Sequence, residues 1–224
     1  MQEGTVPARV RTATRALPDI NANECALLVL GCQNGILDAL PDSDALLMKI
    51  NAAEDIVRIH GGHVYLVRIA LDDLDYQFMP TTNKEFSMLS RDRRFQNDTS
   101  ETAVHPALTV QPNDVAVRAR RLGAFSTTDL DERLTNLGVT TLILCGAHTS
   151  GALLSTVREA ADRDYRLIVL QDSCADPDTE IHRLLMGRIF PRQAEIISAD
   201  ALYRSFASDK LHRKRNSTRT PQTL

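Results

Sequence analysis

Nowhere in this 224-residue chain do 18 apolar residues run together, so a membrane-spanning helix is not expected. The first twenty residues carry three arginines but no apolar core segment, which argues against a secretory signal and for a cytoplasmic protein. Charge of one sign is also lacking. Against 29 Asp and Glu stand 26 Lys and Arg, a net −3, so neither a nucleic acid nor an anionic membrane is an expected partner of the whole chain. Four cysteines (Cys25, Cys32, Cys145 and Cys174) are widely spaced, with no CxxC pair, and read as reduced, buried thiols rather than as a disulfide framework. No Walker loop or GxGxxG fingerprint occurs, which removes the usual nucleotide signatures. His60, His63, His105, His182 and His212 show no metal-ligand spacing, and Asp72, Asp73 and Asp75 read as a solvated acidic loop, so no metal and no cofactor are expected. Internal repeats and low-complexity runs are absent too.

What is present is a series of short apolar runs bounded by polar residues, the pattern of strands buried on both faces of a parallel sheet. They are CALLVLG from Cys25, HVYLVRIA from His63, DVAVRAR from Asp114, TTLILCG from Thr140, YRLIVLQD from Tyr165 and AEIISAD from Ala194. Between them lie stretches with helical spacing. Asp44 to His60 places Leu46, Leu47, Ile50, Ala53, Ile56 and Val57 on one stripe, and Thr149 to Asp164 does the same with Leu153, Leu154, Val157 and Ala161. Asp42 or Ser43 opens the first helix; Thr128 and Asp129 open another that Gly138 stops; Asp178 and Thr179 open a third that Pro191 ends. Strands alternating with helices predict a Rossmann-like, three-layer α/β/α domain with a largely parallel six-stranded sheet. The expected organisation is an N-terminal arm over 1–22, one domain over 23–205, and a basic tail over 206–224, in which five bases from Lys210 to Arg219 face one acid. Residues 71–113 lack clear periodicity and read as a lid or an intersubunit contact.

In an open α/β sheet, ligands bind beyond the carboxyl ends of the strands, so the residues just after each apolar run are the informative ones. There the ordered blocks ALLVLGCQNG (26–35), AFSTTDL (124–130) and LILCGAHTSGALLSTVREAADRDYRLIVLQDSCAD (142–176) resemble the isochorismatase-like cysteine hydrolases, a family that includes isochorismatases, nicotinamidases and N-carbamoylsarcosine amidases. The resemblance implies an Asp base, a charge-stabilising Lys and a Cys nucleophile. Counted from Gln33-Asn34, from Phe125 and from Gly146, those positions hold Gly31, Ala119 and Ala152, which supply no base, charge or nucleophile. It also implies a cis peptide at Ala147–His148, an oxyanion hole from the amides of His148 and Ala152, and a dimer or tetramer.

The expected function is therefore a family member without cysteine-hydrolase activity, which keeps either a pocket for a small carbonyl or carboxylate compound or a scaffold role. Gly31, Gln33, Ala119, Arg121, Phe125, His148 and Ala152 are the candidate pocket residues, Arg121 because strand parity with Ala119 would aim it inward. An alternative is an enzyme of lyase, isomerase or cyclase type that reuses the pocket through His148 without a covalent nucleophile. A third reading is hydrolysis through Cys32.

Overall fold

In a computed structural model that describes residues 19–206, the six apolar runs form one sheet. Its strands are β1 (Cys25–Leu30), β2 (His63–Ile69), β3 (Val115–Ala119), β4 (Thr141–Ala147), β5 (Arg166–Ala175) and β6 (Ala194–Ile197). The spatial order is β3-β2-β1-β4-β5-β6, and each neighbouring pair is parallel. Reversal of the strand order beside β1 makes this the doubly wound arrangement, with its crevice at the carboxyl ends of β1 and β4. All residues of β1 and β4 are buried, which is why both read as continuous apolar runs rather than as alternating ones.

The helices include α1 (Asn34–Leu37), α2 (Ser43–His60), α3 (Asp73–Gln77), α4 (Lys84–Arg91), α5 (Leu130–Asn136), α6 (Leu154–Ala161) and α7 (Thr179–Leu184), and residues 199–206 are helical as well. Helix α2 buries Leu46, Leu47, Ile50, Ala53 and Val57 against the sheet, as its spacing predicts. Gly138, at φ 68°, stops α5, and Asp178 caps α7 by accepting from the amides of Glu180 and Ile181. One expectation needs correction. The helix expected from Thr149 begins as a wide turn over Thr149–Leu153, because Gly151 leaves helical geometry at φ −102° and ψ −105°; regular α6 starts only at Leu154. Residues 71–113 carry short elements that a search for periodicity passes over. They hold α3, α4 and a 3-10 turn at Ser100–Thr102, elements too short to show a period.

At the end of the expected arm, Ile20 is fully buried, and a 3-10 turn at Ala22–Glu24 leads into β1. The rest of that arm and the basic tail lie outside the described residues. Among the described residues, no helix is long and apolar enough to cross a membrane.

One polar group interrupts the core face of α2. Glu54 is fully buried, with one carboxylate oxygen 3.1 Å from the Arg58 guanidinium and the other without a partner. Arg58 also donates to Asp114 at 2.7 and 3.2 Å and to the Thr109 carbonyl at 2.9 Å, so it ties α2 to the loop before β3. Burial outweighs the attraction of Arg58 and pushes the Glu54 carboxyl up to about 7, from the ordinary 4.5. The folded chain thus holds this proton more tightly than the unfolded chain does. Its stabilising contribution is complete below about pH 4.5 and is lost as pH rises through about 7. Thermal melts at pH 5.5 and 8 should therefore show a larger loss of stability for wild type than for Glu54→Gln, by on the order of 1–3 kcal/mol. Arg58→Ala strands two buried carboxylates and should cost roughly 3 kcal/mol or more in denaturant unfolding.

Candidate functional site

At the carboxyl edge of the sheet, β1 and β4 meet backbone to backbone. Gly31, just past β1, has φ 64° and donates its amide to the Val67 carbonyl at 2.9 Å. A Cβ placed on it would lie 2.0 Å from the carbonyl oxygen of Ala147. Across the contact, Gly146 has φ 121°, and its Cβ would lie 2.0 Å from the carbonyl oxygen of Leu30. Neither position has room for a side chain. The peptide between Ala147 and His148 is cis.

Gln33 is fully buried and wholly occupied by β2. Its amide nitrogen donates to the Ile69 carbonyl at 2.9 Å, and its amide oxygen accepts from the Ile69 amide at 2.7 Å. That pairing latches the loop after β1 to the end of the neighbouring strand. Cys32 between them is buried, its thiol 3.7 Å from the Leu30 carbonyl, and burial with the nearby Glu54 carboxylate pushes it up to about 12. A thiol so protonated is a poor nucleophile. Burial raises Cys25, Cys145 and Cys174 as well.

Ala119 closes β3, paired with Ile69 and fully buried, and its carbonyl accepts from the Ala70 amide at 3.1 Å. Ala152 is buried within the wide turn after β4. Gly31, Gln33, Ala119 and the His148–Ala152 turn are thus all found at the carboxyl ends of adjacent strands. His148 is half-buried, and its Nε2 lies 3.2 Å from the Ile36 carbonyl. A carbonyl accepts only from a protonated nitrogen, so this bond assigns the proton to Nε2. The turn is pinned further on. Thr149 Oγ1 is 2.8 Å from His182 Nδ1, and both the amide and the hydroxyl of Ser150 donate to Asp176, at 2.7 and 2.6 Å. Burial alone would raise Asp176; the Ser150 bonds overcome it and hold the carboxyl below its ordinary range. Burial lowers His182, favouring the neutral imidazole.

Two candidates make their side-chain contacts elsewhere. Phe125 is buried against Tyr165, with centroids 5.9 Å apart, and under the Arg163 guanidinium, on the side of α6 where β5 begins. Arg121 lies two residues past the end of β3, beyond the reach of strand parity. Its guanidinium stacks over Phe86, 5.0 Å from the ring centroid, and lines a recess of about 290 Å³ with Leu74, Asp75, Phe78, Arg120 and Thr127. Asp72 and Asp75 each lie 2.9 Å from Arg118, binding the loop after β2 to β3. Among the described residues, no group of three or more His, Cys, Asp or Glu side chains is arranged to hold a metal ion.

This framework can be set beside known proteins. The family model described as the isochorismatase domain matches residues 25–201. The chain belongs to the isochorismatase family. It is 30% identical over 174 residues to the uncharacterised family protein YwoC of Bacillus subtilis (strain 168), covering 78% of this chain and 89% of that one. It is 28% identical over 190 residues to the uncharacterised YecD of Escherichia coli O157:H7, covering 82% and 97% respectively. Among solved structures, an isochorismatase-family protein from Burkholderia thailandensis superposes with a TM-score of 0.74 at 28% identity, over 86% of this chain and all of that one.

Sequence reading missed Glu54, the structural use of Gln33, and the recess around Arg121. Glu54 was open to discovery, because it falls on the buried stripe of α2 between Ile50 and Val57. The other two depend on which strands become neighbours, which no local pattern records.

The Gly31 contact has a direct test. Gly31→Ala should cost about 3 kcal/mol or more or prevent folding, since backbone cannot yield as a side chain can. Gly138→Ala, also at positive φ but with nothing within 4 Å of its Cβ, should cost only about 1 kcal/mol in the same urea melts.

Proposed function

We propose that this chain is an isochorismatase-family member that does not perform cysteine-dependent hydrolysis and that binds a small carbonyl or carboxylate compound at the carboxyl edge of its sheet. The observation that carries the first part is the contact at Gly31. If Gly31 stands where the family's base belongs, as the flanking Gln33-Asn34 pair implies, a carboxylate there would have to pass through the Ala147 carbonyl, 2.0 Å from the Cβ. Methyl groups at Ala119 and Ala152 offer neither the cation nor the nucleophile that acyl transfer through a thiol requires.

Cys32 does not replace them. Its thiol is buried and held protonated, and the charge on Glu54 raises it further rather than stabilising a thiolate. For the enzyme alternative through His148, Nε2 is spent on the Ile36 carbonyl, which leaves Nδ1 as the ring nitrogen that would have to serve a substrate. Binding needs only shape, donors and charge.

Two measurements test this reading. Purified protein should show no turnover of isochorismate, nicotinamide or N-carbamoylsarcosine above the uncatalysed rate. Iodoacetamide at neutral pH should modify none of Cys25, Cys32, Cys145 and Cys174 in the folded chain and all four after denaturation. Turnover that disappears in Cys32→Ala, or rapid alkylation of Cys32 in the native state, would overturn the reading.

A further inference from the structure

Resting on the proposed role in binding, the geometry points to where a ligand sits and what it is: we infer that the recess between α3 and the loop after β3 takes a small monocarboxylate with an apolar body. Neither Gly31, Ala119 nor Ala152 lines this recess.

Charge sets the head group. Three guanidiniums, those of Arg118, Arg120 and Arg121, gather at this corner against two carboxylates, Asp72 and Asp75. Arg118 lies 2.9 Å from both acids, and Arg120 lies 3.4 Å from Asp75. Arg121 has no carboxylate partner among the described residues. Three positive charges against two negative leave a surplus of one, which a monoanion balances; a dianion would also face Asp75 in the same wall.

Arg121 is prepared for that contact. Its stacking on buried Phe86 fixes the plane of the guanidinium, and a 2.6 Å bond from Nη1 to the Arg120 carbonyl fixes its rotation. The Nε and Nη2 donors remain for a carboxylate, which matches the fork of a guanidinium in two parallel bonds. Thr127 adds a directed hydroxyl. Its oxygen already accepts from the Arg120 amide at 2.9 Å, so its proton is available to an incoming acceptor.

Burial sets the rest of the ligand. Leu74 and Phe78, one helical turn apart, are 67% and 72% exposed although both line the recess. Water covers two large apolar side chains that a ligand body would shield. A volume of about 290 Å³ falls at the small end of ligand sites, suited to an aromatic or short branched acid rather than to a cofactor.

The test uses the full chain with benzoate as probe, benzamide as its neutral counterpart and inorganic phosphate as the competing anion, read by amide chemical-shift titration. Benzoate should shift the amides of Leu74, Phe78, Arg121 and Thr127, with benzamide and phosphate each weaker by about tenfold or more. Arg121→Gln should weaken benzoate by a similar factor while leaving the dispersion of the spectrum intact. Equal binding of benzamide, binding of phosphate as tight as benzoate, an unchanged affinity in Arg121→Gln, or no shifts at millimolar benzoate would each overturn the inference. Shifts centred on His148 and Ala152 would overturn it while supporting binding at the family's position. Hydrolytic turnover, measured separately, bears on the proposed function and not on where benzoate lies.

Discussion

The carboxyl edge of this domain is organised by the close approach of two backbones, β1 at Leu30–Gly31 and β4 at Gly146–Ala147. Each strand places a glycine where the other places a carbonyl oxygen, with 2.0 Å from either hypothetical Cβ to its neighbour. Positive φ at both residues lets the chain leave the strand there, a conformation that glycine adopts at little steric cost. Once β1 and β4 are in register, the rest of the edge follows. Gly31 bonds to Val67, Gln33 latches onto Ile69, and Ile69 pairs with Ala119, so three strand ends are joined by one run of backbone and amide bonds. The crevice of a doubly wound sheet opens at this place, and here its floor is made of main chain.

A floor of main chain separates architecture from chemistry. The strand pairings, the wide turn after β4 and the cap on α7 depend on backbone groups and on a few polar side chains, Gln33, Ser150, Asp176 and Asp178, none of which is the nucleophile, base or cation that the family resemblance implies. Side chains at Gly31, Ala119 and Ala152 are therefore not needed to hold the edge together. A family model that matches 25–201 and the identity of these three residues are compatible facts, because the match draws on the whole sheet and the reaction would draw on three atoms.

How much of this was legible in the sequence follows from the range of the interactions concerned. All six strands could be read from residues 24–200, because burial on both faces writes a continuous apolar run, and Gly138 and Asp178 could be read because a cap acts within four residues. The start of α6 was misread, because Leu153 lies on the helical stripe while Gly151, two residues earlier, leaves helical geometry; periodicity counts side chains and not dihedral angles. Helices α3 and α4, of five and eight residues, complete too few turns to show a period. For the site, the ordered blocks pointed to Gly31, Gln33, Ala119, His148 and the turn at Ala152, which the fold gathers at the carboxyl ends of its strands. Distance across the sheet hid the rest. That Gln33 is spent on Ile69 depends on contacts 36 residues apart, and the position of Arg121 over Phe86 depends on a strand that ends at Ala119.

The corner around Arg121 shows the same logic from the opposite side. Where the edge is closed by backbone, Gln33, Ser150 and Asp176 are spent on bonds within the fold. Where β3 ends and the chain turns away as the outermost strand of the sheet, pairing is incomplete: guanidiniums outnumber carboxylates by one, and α3 leaves Leu74 and Phe78 uncovered. A fold tolerates exposed apolar area and a surplus charge at little cost in water, but each gains when the right ligand removes it from solvent. If the ligand proposed above binds at this rim, the way the centre is closed accounts for it, because backbone fills the Gly31 position while Arg121, with no carboxylate partner among the described residues, stands beside uncovered Leu74 and Phe78.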